Sequence, residues 1–209
     1  MVYSHVPFAD HNAMLDPSTS DITARTLEML SYFGYDGNHP TVKRALKFLK
    51  KDQCADRSWY GRWGVNYIYG TWQVLKGLRL IGVDMSEDYC KKGADWLKSI
   101  QNPDGGWGET CLSYDDPTQK GKGPSTASQT AWSLMGLISA TEENSAEVKQ
   151  GIDYLLHTQN LDGTWTEDWY TGTGFPRVFY LLYHMYRQYF PMIALTTYGK
   201  VMAEAQGSS

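Results

Sequence analysis

The sequence predicts an all-α chain of repeated helical pairs, and three observations carry that prediction. First, one turn pattern recurs: Trp96, Leu97, Gln101 and an Asn102-Pro103-Asp104-Gly105-Gly106 turn closed by Trp107. Phe48, Leu49, Gln53 and Trp59 repeat it upstream, and Tyr154, Leu155, Gln159, Gly163 and Trp165 repeat it downstream. Second, the spacing is shared: 48 residues separate Gln53 from Gln101 and Trp59 from Trp107, and 58 separate Gln101 from Gln159 and Trp107 from Trp165. A period of that length is typical of a helical-pair repeat. Third, apolar residues recur at helical spacing behind capping residues, and no segment sustains period-two alternation.

The elements follow in order. Asp16-Pro17-Ser18 reads as a turn, and Ser18-x-x-Asp21 as a capping box opening a helix through Ile22, Leu27, Leu30 and Phe33 to Gly34. Pro40 starts a second helix whose stripe of Val42, Ala45, Leu46 and Leu49 ends at Lys50 and Lys51, cations suited to a helix C-terminus. A third runs from Asn66 to Ile81, and a fourth from Glu87 to Ile100 behind Ser86. The polar stretch from Glu109 to Gly123 is a surface excursion. Ser125 caps a fifth helix to Ala140, and Ser145 a sixth to His157. After Gly172-Thr173-Gly174-Phe175-Pro176 an aromatic helix is expected from Phe179 to Phe190, where Pro191 breaks or kinks it. The expected organisation is one domain over residues 1–205 and a disordered tail over 206–209. Antiparallel pairs at this period stack as an open solenoid or a closed ring, and periodicity does not choose between them.

Composition narrows the function. The chain has 209 residues, 42% hydrophobic, with a net charge of −4. It lacks the clustered positive field that nucleic acid requires. Cys54, Cys90 and Cys111 stand singly, so neither a disulfide framework nor a zinc site is expected, and they read as reduced thiols in a cytosolic protein. The opening Met1 to Pro7 has no signal-peptide pattern, and no apolar run is long enough to span a membrane. The distinctive figure is the aromatic share, 14%, with 8 Trp and 15 Tyr.

The repeated turn is first of all a staple, its Gln and Trp bonding exposed groups at neighbouring helix ends. Together with Trp59-Tyr60-Gly61-Arg62-Trp63-Gly64-Val65-Asn66-Tyr67, Ser128-Gln129-Thr130-Ala131-Trp132 and Tyr170-Thr171-Gly172-Thr173-Gly174-Phe175-Pro176, it resembles the repeat signature of the squalene–hopene cyclase family over almost the whole chain. The resemblance implies an α/α toroid, here a partial barrel, and a class II cyclase of squalene or a similar linear polyprene, with no cofactor and no metal. Arg57 departs from the Gly expected in the first copy, and Gln150 from the basic residue expected in the third.

The family's Asp-x-Asp-Asp motif, whose middle acid protonates an alkene, does not occur; Asp115-Asp116 lies in a polar loop and reads as a solvated turn. Matching strings place the sequence shortly after that motif, as the C-terminal part of a longer cyclase. On spacing alone, Asp21 and Arg25 are an ordinary ion pair on one helix face. By resemblance they lie beside the acid, Arg25 orienting it and Asp21 balancing the charge. Phe175, Phe179, Tyr183 and Tyr186 follow spacings of four, four and three, by themselves a core stripe. By resemblance they, with Trp63 and Tyr69, face the cyclisation cavity and stabilise carbocations, while Phe8 and Ala9 line the substrate's access route.

Two other readings are weighed: a non-catalytic α/α module binding an apolar ligand or partner, and a protein prenyltransferase barrel, which needs an Asp/Cys/His zinc site that the scattered His5, His11, His39, His157 and His184 do not form. An incomplete ring exposes apolar faces. Expected partners are therefore the polyprene and either a companion chain carrying the N-terminal part or a second copy. The resemblance places the full enzyme on the cytoplasmic membrane as a monotopic protein.

Overall fold

A computed structural model describes residues 17–207. Its elements are α1 (Ser20–Tyr32), α2 (Pro40–Asp52), α3 (Tyr67–Leu80), α4 (Asp88–Ser99), 3₁₀ turns at Cys111–Tyr114 and Pro117–Gln119, α5 (Ala127–Ser139), α6 (Ala146–Thr158), β1 (Gly172–Phe175), β2 (Phe179–Leu181) and α7 (Tyr186–Gly207). The expected access-route residues Phe8 and Ala9 lie outside the described residues.

The odd-numbered helices form an inner row: α1 packs on α3, α3 on α5 and α5 on α7. Helices α3 and α5 bury nearly every side chain, as a helix with neighbours on all sides must. α2, α4 and α6 bury one face each and lie outside. Trp59 and Trp107 are fully enclosed between the two rows, and Trp132 is fully enclosed among the inner helices, against Tyr69 and Trp72 of α3 and Tyr186 and Phe190 of α7.

The repeated turn is one device built three times. The indole N–H of Trp59, Trp107 and Trp165 donates to the carbonyls of Leu49, Leu97 and Leu155 at 2.8–2.9 Å. The backbone amide of Trp59 donates to Thr71 and that of Trp107 to Thr130, both at 2.9 Å. Gln53 and Gln101 each bridge their own turn to the next outer helix, reaching the carbonyls of Tyr89 and Glu147.

Several expectations need correction. The N-cap of α1 is Thr19, and the Asp21 carboxylate accepts the Thr19 hydroxyl rather than reaching back to Ser18. Thr126, not Ser125, caps α5, its hydroxyl accepting from Gln129, and Glu87 rather than Ser86 precedes α4. The helix expected from Phe179 is an antiparallel hairpin, with Gly172 opposite Leu181 and Thr173 opposite Tyr180. Gly172 and Gly174 are poor helix formers, Pro176 offers no N–H, and Arg177 turns the chain at φ 69°. Phe175, Phe179, Tyr183 and Tyr186 are therefore not one helical stripe. Pro191 lies inside α7, and the helix continues through Gln206 and Gly207, the start of the expected tail.

Candidate active site

The loop from Trp59 to Asn66 and the hairpin after Tyr170 meet at the ends of the inner helices. The Val65 amide donates to the Thr171 carbonyl at 2.9 Å, and Gly64 pairs with Gly172 in an antiparallel bridge. Neither glycine has room for a side chain: a Cβ on Gly64 would stand 2.4 Å from the Tyr69 ring, and one on Gly172 2.4 Å from the Tyr183 ring. Residues paired across such a bridge project to the same face, so Tyr69 and Tyr183 lie on one side of this small backbone platform.

Two aromatic clusters result. Trp63 lies 6.5 Å from Phe175, and Phe175 5.5 Å from Phe179. Deeper in, Tyr69 stands edge-on to Trp132 at 5.0 Å, Trp132 to Tyr186 at 5.9 Å, and Tyr186 contacts Tyr183 at 4.6 Å. The structure thus gathers the six expected aromatic residues into two groups and adds Trp132 and Phe190 to the second, with Phe190 5.1 Å from Tyr186. Trp132 sits in one of the strings that carry the resemblance, so its signal was present. Phe190 follows Tyr186 by four residues in α7, the next step of the same helical spacing, so its signal was present too. Phe179 and Tyr183 are each 41% exposed, whereas Tyr69 is 2% exposed.

Polar side chains fix this arrangement. The buried Tyr114 hydroxyl lies 2.7 Å from the Gly61 carbonyl, 2.9 Å from that of Gly64 and 2.8 Å from the Thr173 hydroxyl, tying loop to hairpin. Gln129 on α5 donates to the carbonyls of Val65 and Glu109, both at 2.9 Å. Burial pushes the Tyr69 and Tyr186 hydroxyls above the usual tyrosine range, against the opposing charge of Arg25. Both rings stay neutral near pH 7 and present an uncharged π face.

Asp21 is fully buried and Arg25 exposed, and among the described residues no ion pair joins them. The Asp21 carboxylate instead accepts backbone amides, those of Arg62 and Trp63 at 2.8 and 3.0 Å. Among the described residues no three His, Cys, Asp or Glu side chains stand together as a metal site. Burial raises the Cys111 thiol to about 11, so it is protonated near neutrality.

Comparison with known proteins completes this picture. Residues 1–200 match the family described as squalene-hopene cyclase C-terminal domain. The chain is 50% identical over 196 residues to squalene–hopene cyclase of Zymomonas mobilis, covering 93% of this chain and 30% of that protein. It is 51% identical over 195 residues to the enzyme of that name from Alicyclobacillus acidocaldarius, covering 93% and 31%. Dammaradiene synthase of Dryopteris crassirhizoma is 45% identical over 215 residues, covering 92% and 31%. The fold resembles ent-copalyl diphosphate synthase from Streptomyces platensis, with a TM-score of 0.64 at 17% identity over 89% of this chain and 34% of that one. It also resembles the type II terpene cyclase MstE from Scytonema, with a TM-score of 0.56 at 20% identity over 83% and 44%. The chain spans about 30% of the length of the curated relatives it matches. It belongs to the squalene-hopene cyclase C-terminal domain family.

Proposed function

We propose that this chain forms the C-terminal wall of a cyclisation chamber in which squalene or a similar linear polyprene is converted to a polycycle by a proton-initiated carbocation cascade. The observation that carries the reading is the ring cluster of the buried Tyr69, Trp132 and Phe190 with the half-buried Tyr186, continued outward by Tyr183. Neutral aromatic faces attract a cation passing close to them, each dry contact being worth about 2 kcal/mol, and burial keeps out the water that would capture it early. Trp63, Phe175 and Phe179 supply a second such wall. A proton added to a terminal alkene starts the cascade, each ring closure moves the positive charge along the chain, and loss of a proton, or capture of one water that then gives up a proton, ends it.

The starting acid comes from polypeptide outside this sequence, which holds no Asp-x-Asp-Asp. Arg25 is the group we assign to hydrogen-bond that acid and orient it; its opposing charge on the Tyr69 and Tyr186 hydroxyls supports this.

The seam between repeats supports a preceding segment. Where Trp59 docks, Thr71 takes its amide, Leu75 and Gly93 line its ring, and the Tyr89 carbonyl takes Gln53. Thr130, Leu134, Gly151 and Glu147 do the same for Trp107 and Gln101. The matching positions on α1 and α2 are Thr23, Leu27, Ala45 and Thr41, and these four line a cavity of about 360 Å³. That surface fits a further Gln-to-Trp turn, from a preceding length of chain or from a companion chain, rather than a second copy, whose three repeat Trp rings are all buried. Attachment to a membrane face belongs to the same proposal; no described helix is long and apolar enough to cross one.

The test is to join the chain to the upstream part of a relative and compare Tyr186→Ala with the parent. Polycycles from the parent and early-terminated monocyclic or bicyclic products from the variant are expected. Unchanged products would remove Tyr186 from the chamber wall.

A further inference from the structure

In all three repeats a carboxylate closes the seam between an inner helix and the segment that follows a repeat Trp. Two residues after Trp107, Glu109 accepts the amides of Asn66 and Ile68, at 3.3 and 2.9 Å, at the start of α3. Two residues after Trp165, Glu167 accepts the amide and hydroxyl of Ser128, at 2.8 and 2.9 Å, at the start of α5. Two residues after Trp59 stands Gly61, where a Cβ would lie 2.3 Å from the Asn66 carbonyl oxygen, so no side chain fits.

In this first seam the carboxylate comes from the helix instead. Asp21, in the first turn of α1, accepts the amides of Arg62 and Trp63 on Oδ2, and the Ile22 amide and Thr19 hydroxyl on Oδ1. Four donors use the acceptor capacity of the carboxylate, leaving none for Arg25.

We infer that Asp21 is a positioning residue: it clamps the backbone at Arg62 and Trp63, and so sets where the Trp63 ring stands and where Gly64 meets the face of Tyr69. Glu109 and Glu167 accept from Asn66, Ile68, Ser128 and Thr171, none of them an aromatic of the chamber wall, whereas Asp21 holds the amide of Trp63 itself. The catalytic consequence rests on the cation-stabilising reading given above; the clamp itself does not.

Amide hydrogen exchange on the chain itself tests it, comparing Asp21→Asn, Arg25→Gln and Gly151→Ala. Asparagine turns an NH₂ toward groups that are themselves donors. Exchange at Arg62 and Trp63 is expected to rise at least about tenfold in Asp21→Asn, with a shifted Trp63 indole resonance, and to stay at the parent rate in the other two. Gly151→Ala loosens the dock of Trp107, away from this loop, and so reports any effect of general destabilisation.

Unchanged protection at Arg62 and Trp63 in Asp21→Asn, or an equal rise in Arg25→Gln, would overturn the clamp. Should Asp21→Asn not fold, Thr19→Val removes one donor and is expected to raise exchange at the same two amides several-fold; no rise there would count equally against it. A lipophilic tertiary ammonium ion, which mimics a carbocation, should bind the parent and bind Asp21→Asn more weakly. Failure to bind the parent would contradict the cation reading, while the exchange data still decide the clamp.

Discussion

Gly93 lies against Trp59 so closely that a Cβ at Gly93 would stand 2.6 Å from Cζ3 of the indole. Gly151 meets Trp107 at the same distance. The small residue of each outer helix is thus the floor on which the preceding repeat's Trp rests. Gly93→Ala and Gly151→Ala are each expected to lower stability by about 2 kcal/mol through overpacking, although alanine is the better helix former. Denaturant midpoints measure this, and an unchanged midpoint would show that the ring can move aside.

Arg57 holds φ 79°, where the equivalent Gly105 and Gly163 both hold 84°. An arginine in the left-handed region carries a steric cost that glycine does not. Arg57→Gly should therefore gain about 0.5–1 kcal/mol, less the greater freedom of glycine in the unfolded chain, read as a higher melting temperature.

Much of this fold was legible because the repeat writes the same donor and acceptor three times. Gln53, Gln101 and Gln159 and the three Trp residues announced the turns, and Val42, Leu46 and Leu49 gave the buried face of α2. The hairpin was not legible, because Phe175, Phe179, Tyr183 and Tyr186 happen to fall at helical spacing while Gly172, Gly174, Pro176 and the left-handed Arg177 decide the backbone. The seam carboxylates carried a signal that went unread: Glu109 and Glu167 both lie two residues after a repeat Trp. Asp21 was visible as a residue of interest, but spacing pointed to Arg25 as its partner. Only the folded chain brings the amides of Arg62 and Trp63, some forty residues away, onto its carboxylate.

Burial raises the carboxyl groups of Glu109 and Glu167 above the ordinary glutamate value of 4.5, outweighing the hydrogen bonds that favour the charged form. The native state then holds these protons more tightly than the unfolded chain. Their stabilising contribution is full below the unfolded pKa and is lost as pH rises from there through the raised native values. Glu109→Gln, which mimics the neutral form, should flatten that decline. Melting temperatures from pH 4 upward measure it, and an identical profile in parent and variant would contradict the assignment.

Ala45→Phe fills the cavity between α1 and α2 from within. It should leave the chain folded, since Ala45 is only partly buried, and reduce at least about tenfold its association with an upstream polypeptide bearing a Gln-to-Trp turn. Isothermal titration with that polypeptide reads the change. Equal affinity for both chains would place the docking surface elsewhere.

The most direct measurement is incubation of the purified chain with detergent-dispersed squalene, alone and together with the upstream segment of a relative that carries Asp-x-Asp-Asp, followed by analysis for cyclised hydrocarbons and alcohols. The account predicts no product from the chain alone and polycyclic product from the pair. Product from the chain alone would show that an acid within this sequence starts the reaction. No product from a pair shown to have associated would contradict the role of this chain as the wall of a cyclisation chamber.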